Sequence, residues 1–79
     1  MNENKIKEYL TQRESEVLQY VVDGLTNKEI AQILNITHHT VKAHVSSIIR
    51  KIGGKNRLNI ALIAVLQGLA TPHQDSTLP

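Results

Sequence analysis

The 79-residue chain is expected to be all-α, a domain of four helices. Three observations carry that expectation. Thr11 to Glu14 and Thr26 to Glu29 are both T-x-x-E boxes, in which the hydroxyl caps a helix start and the acid reaches back to the cap amide, satisfying two orphan donors each time. Downstream of each start the apolar residues recur at a 3.6-residue period, and Gly24, Asn35, Gly53 and Gly68 stand where those stripes end. No segment alternates apolar and polar residues as a half-buried strand would, and no repeat or low-complexity stretch appears.

Residues 1–9 read as a polar lead-in, frayed as chain ends are. Leu10 stands as the hydrophobic residue before the Thr11 cap, and Val17, Leu18, Val21 and Val22 form one face of the first helix, which Asp23-Gly24 ends. The second helix covers about 27–34 and carries the apolar Ile30, Ile33 and Leu34. Asn35 can end it because asparagine tolerates a left-handed backbone; Ile36 then packs back, and Thr37 caps again. The third helix, about 38–52, carries Val41, Val45, Ile48, Ile49 and Ile52 at offsets 0, 4, 7, 8 and 11, a single apolar stripe. Gly53-Gly54 stops it. Asn56 can cap a fourth helix from Arg57 to about Gln67, closed by Gly68. The domain therefore spans 10–69, and residues 70–79, ATPHQDSTLP, with two prolines and little to bury, read as a flexible tail.

The fourth helix has two apolar sides where one would suffice. Ile60, Ala61 and Ala64 lie on one, and Leu58, Leu62, Val65 and Leu69 on the other with Leu66 at its edge. Either the first helix and the tail cover both, or the second side pairs with its copy across a two-fold axis.

Composition bounds the function classes. A chain of this length buries only about 60–65% of its unfolded surface, so a deep catalytic pocket is not expected. Phe, Trp and Cys are absent and Tyr9 and Tyr20 are the only aromatics, which leaves an aliphatic core with no disulfide or thiolate metal site to support it. Residues 2–9 do not resemble a secretory signal, and the longest apolar run, Ile60 to Leu66, is far too short to span a membrane. A cytoplasmic protein is expected.

Net charge is +2, but its distribution says more than the total. Residues 1–36 carry four basic groups against six acids; residues 37–72 carry Lys42, Arg50, Lys51, Lys55 and Arg57 with no acid. An unopposed basic segment suits phosphate. Opposite Val41 on the third helix the period places His39, Ala43, Ser46 and Arg50, with Lys42 and Ser47 on the flanks. Lysine and arginine can donate to guanine edges or phosphate, serine can pair with several bases, and an alanine methyl can touch thymine. Helix N-terminal residues sit deepest in a major groove, so His39, Lys42, Ala43 and Ser46 are the candidate base readers, and Arg50 and Lys51 are assigned to the backbone. Asn27 and Lys28 begin the second helix, where free amides and the positive dipole end favour a phosphate.

His38, His39 and His44 do not make a metal site, because helical ligand pairs need spacings of three or four and these are 1, 5 and 6 apart. No Ser/His/Asp set or phosphate-cradling glycine loop is present, so no enzyme and no cofactor are expected.

Several of these residues also carry a resemblance. L-T-x-R-E in Leu10 to Glu14, E-V-L in Glu16 to Leu18, G-L-T-N-K-E-I-A in Gly24 to Ala31, T-V-K-x-H in Thr40 to His44 and I-x-x-K-I-G in Ile48 to Gly53 follow one another at fixed spacing. The chain closely resembles the LuxR-type helix-turn-helix domain, the GerE or NarL/FixJ group of bacterial transcription regulators. The resemblance implies a third helix in the major groove, a second bracing the DNA backbone, and a fourth that often forms the dimer; the expected homodimer contacts on it are Leu58, Leu62, Val65, Leu66 and Leu69. The resemblance places Lys42, Ala43 and Ser46 at base-reading positions; the candidate contacts to the DNA backbone are Asn27, Lys28, Thr40, His44, Ser47, Arg50 and Lys51. Some relatives have lysine where this chain has Ser46, which shortens the reach there, and Asn35 stands where glycine is usual. Glu14 and Glu29 are assigned to capping and scaffold. Family members usually also carry an N-terminal receiver or ligand-sensing domain, so this chain reads as a stand-alone regulator or as the effector part of a response regulator. The expected function is a sequence-specific regulator that binds double-stranded DNA as a dimer. The alternative is an interaction module that sequesters a related regulator or contacts RNA polymerase. No small-molecule ligand is expected within the chain.

Overall fold

Capping chemistry starts every helix. In the computed structural model, which describes residues 6–73, a single 3₁₀ turn over Ile6–Tyr9 precedes four α-helices: α1 Gln12–Val22, α2 Asn27–Leu34, α3 His38–Ile52 and α4 Arg57–Leu66. Both capping boxes form. The Glu14 amide donates to Thr11 Oγ1 at 3.0 Å while the Thr11 amide donates to Glu14 Oε1 at 2.9 Å, and Thr26 with Glu29 repeats the pair at 3.1 and 2.8 Å. Thr37 caps α3 through the Thr40 amide, and Asn56 caps α4 through the Asn59 amide. The 3₁₀ turn is an element the sequence reading did not separate from the lead-in, whose residues 1–5 lie outside the described residues.

The stops follow backbone conformation. Asn35 adopts the left-handed region at φ 56° and lets the Ile36 amide close on Ala31 O at 3.1 Å, so the α2–α3 turn is set by asparagine as anticipated. The two glycines after α3 differ in purpose. Gly53 sits at φ 79° with open space around it, whereas a Cβ at Gly54 would meet Ile60 Cγ2 at 2.6 Å. The first glycine turns the chain, and the second lets α4 approach closely.

Inward residues of all four helices meet in one aliphatic core: Val17, Leu18 and Val21 from α1, Ile30 and Ala31 from α2, Val41, Val45 and Ile48 from α3, Ile60 and Ala64 from α4. α3 packs against α1, α2 and α4, and is the element around which the others are arranged. Its inner side is thereby spent and its position is set.

Residues beyond α4 fold back. Leu69 and Ala70 are buried in the core, Gln19 Nε2 donates to Thr71 O at 2.7 Å, and the His73 amide donates to Asp23 Oδ1 at 2.8 Å. His73 Nδ1 lies 2.5 Å from the other Asp23 oxygen. Burial alone would raise the Asp23 pKa; the His73 amide and ring and the Gln19 amide outweigh it and lower the pKa. Of the segment expected to be a flexible tail, residues 70–73 are thus seated on the C-terminal end of α1, and 74–79 lie outside the described residues.

Candidate nucleic-acid interface

α3 presents two unlike sides. Val41, Val45 and Ile48 are buried, and the opposite side exposes His39, Lys42, Ala43, Ser46 and Arg50, the five residues the helical period places there. His38 and Thr40 are exposed at its start and His44 is half-buried on a flank. The His38 and His39 rings meet edge-on at 6.2 Å, and no group of acids and histidines able to hold a metal occurs among the described residues. No acid lies in the first turn, and Arg50 and Lys51 lie in the last, where cations favour the helix dipole. Lys28 is exposed one position inside the start of α2. The surface is polar, cationic on α3, and built on a rigid helix.

Two residues assigned to the DNA backbone are turned elsewhere. Ser47 Oγ donates to Glu14 Oε2 at 2.6 Å and Lys51 Nζ lies 2.8 Å from Glu14 Oε1, so both are engaged by α1. The reason is electrostatic: Glu14 is 4% exposed, and a carboxylate so placed needs several donors. Burial by itself would raise its pKa, but the hydrogen bonds from Lys51, Ser47 and the Thr11 amide, with the Lys51 charge, hold it down from 4.5 to about 2. The acid is therefore ionised, and Ser47 and Lys51, both expected to face the DNA backbone, make these contacts with α1.

Arg57, counted in the sequence only as one more positive charge, is a structural tie. Its Nη2 donates to Leu25 O at 2.5 Å and its Nη1 donates to Asn27 Oδ1, linking the start of α4 to the start of α2. Burial pulls its pKa below the ordinary value. No local pattern could have exposed this role, because the partners lie 30 and 32 residues away. Asn27, assigned to phosphate, holds Arg57 through its oxygen.

The outer side of α4 is uncovered among the described residues: Leu58 is 70% exposed, Leu62 54%, Val65 42% and Leu66 83%. Leu69 does not belong to it. The chain turns after α4, the Leu69 amide closes on Ala64 O at 2.7 Å, and its side chain enters the core. Of the five residues expected to form a dimer surface, the other four are exposed and Leu69 is not. Tight α1 and α4 packing accounts for the buried side, so the two-sided covering by α1 and the tail is not what the described residues show. No described helix is long and apolar enough to cross a membrane.

Residues 8–64 match the family described as bacterial regulatory proteins, luxR family. The chain is 49% identical over 61 residues to the transcriptional regulatory protein LnrK of Bacillus subtilis, covering 77% of this chain and 28% of that protein. It is 41% identical over 61 residues to the transcriptional activator protein AnoR of Acinetobacter nosocomialis, covering 77% and 26%. Against the nitrate/nitrite response regulator protein NarP of Escherichia coli it is 40% identical over 58 residues, covering 73% and 27%. The chain thus spans a little over a quarter of the length of these relatives. Their names describe regulators, in keeping with the non-enzymatic reading of the residues.

Proposed function

This chain belongs to the luxR family of bacterial regulatory proteins, and from that premise we propose that it regulates transcription by reading double-stranded DNA through α3. The observation that supports this most directly is the outer side of α3, where His39, Lys42, Ala43, Ser46 and Arg50 are all exposed in a stretch without a single acid. His39, Lys42, Ala43 and Ser46 take the base edges of a major groove; Arg50, Thr40 and His44, with Lys28 and Asn27 at the start of α2, take phosphates. One module of this size buries only about 600–1,000 Å² on DNA, so two copies are needed for useful specificity. They pair through Leu58, Leu62, Val65 and Leu66 of α4, and act in the cytoplasm. The relatives are longer than the matched region, and we read this chain as a stand-alone regulator or as the DNA-binding effector domain of a response regulator.

Selection of bound duplexes from a random-sequence pool, followed by titration at two salt concentrations, tests the reading. A recovered site with two half-sites about 10 base pairs apart and a steep salt dependence is the expected outcome. Absence of salt-dependent binding to any duplex would overturn it in favour of a protein-interaction module that sequesters a related regulator or contacts RNA polymerase.

A further inference from the structure

A buried acid on α1 claims two α3 side chains from outside the reading face. Both oxygens of Glu14 are used: Oε2 accepts from Ser47, and Oε1 accepts from Lys51 and from the Thr11 amide. Ser47 and Lys51 stand one turn apart on the same flank of α3, and Ser46 adjoins the first of them. The Glu14 backbone is itself pinned by its capping box, so the carboxylate has little freedom.

We infer that Glu14 is the positioning residue of the reading face: by gripping Ser47 and Lys51 it sets the rotation of α3 on α1, and with it the stand of Lys42, Ala43 and Ser46, while keeping Lys51 from phosphate. The Val41, Val45 and Ile48 stripe cannot do this alone, because apolar contacts are non-directional and tolerate small rotations that hydrogen bonds do not. Buried ionic contacts are best attested in that register-setting role. The pairing also sorts the charge. Lys51 is neutralised against α1, whereas Lys42 and Arg50 stay exposed on the outer side.

The inference rests on the proposed reading of DNA by α3, and the test separates the two. Affinities are measured for a duplex selected by the protein from a random pool and for a random 30-base-pair duplex, with wild type, Glu14→Gln, Ser47→Ala and Lys42→Ala, and each variant is first checked by thermal unfolding. Glu14→Gln retains a cap acceptor but frees Lys51. Its ratio of specific to non-specific affinity should fall about tenfold, equivalent to about 1.4 kcal/mol, while its non-specific salt slope steepens by about 0.9 for one added phosphate contact. Ser47→Ala, which keeps the ion pair, should lower the ratio about threefold, and it decides the matter if Glu14→Gln does not fold. A purely structural role would weaken both affinities by the same factor. An unchanged ratio in Glu14→Gln and Ser47→Ala, with a lowered ratio in Lys42→Ala, overturns the positioning role and leaves the DNA reading intact; an unchanged ratio in Lys42→Ala overturns the reading itself.

Discussion

On α3 the side turned away from the core carries His39, Lys42, Ala43, Ser46 and Arg50, whereas on α4 the corresponding side carries Leu58, Leu62, Val65 and Leu66. Inside, the two helices follow one logic, with Val41 and Ile48 on α3 and Ile60 and Ala64 on α4 wholly buried. The difference teaches that core burial consumes only one side of each helix, and that the other side declares the kind of partner. A polar cationic side suits a polyanion, and a leucine-rich side suits another apolar surface.

Perturbing the shared inside should give the largest effects. Ile48→Ala and Ile60→Ala should each cost about 3 kcal/mol in urea unfolding, against under about 0.5 kcal/mol for Leu62→Ala on the exposed side. A loss below 1 kcal/mol at Ile48 would break the parity of the two cores.

Acid should strike the α3 side of the comparison through Glu14. Its folded pKa is depressed from 4.5 to about 2, so its stabilisation is fully present above pH 4.5 and is lost as pH falls toward 2. About 2 kcal/mol should disappear in wild type beyond what Glu14→Gln loses, measured as the difference between their urea unfolding free energies at pH 5 and pH 2.5. Asp23, depressed in the same direction by His73 and Gln19, adds to the common loss in both proteins.

The outer sides separate at smaller magnitudes. Lys42→Ala should reduce discrimination between selected and random DNA by about 1–3 kcal/mol, while Lys28→Ala should weaken both about equally and flatten the salt slope by about 0.9. Equal losses in the two variants would remove the distinction between base reading and phosphate contact. Leu62→Glu should leave unfolding free energy within about 0.5 kcal/mol and abolish self-association in sedimentation, with DNA affinity reduced only through lost pairing. A monomeric wild type would sink the role given to α4.

Much of this was legible locally. The caps at Thr11, Thr26, Thr37 and Asn56, the left-handed stop at Asn35, and the outward set on α3 all depend on neighbours within four residues or on a 3.6-residue period. The contacts that were not legible share one cause. The period puts Ser47 on a flank of α3 and says nothing of what lies against Ser47 or Lys51; only the packing of α1 brings both to Glu14. Leu69 continues the helical stripe on paper, yet the chain has left the helix by Gly68 and swings the side chain inward.

By itself the sequence determined four capped helices, the limits of each, the aliphatic stripes and an acid-free basic half, because these follow from short-range hydrogen bonding and side-chain spacing. The tertiary structure alone decided which charges are spent and which are presented. Glu14 takes Lys51, Arg57 takes Leu25 O and Asn27, and Asp23 takes His73, across 30 to 50 residues of chain. Such pairings arise where burial brings distant polar groups into a medium that requires each to find a partner, and no local period encodes that meeting.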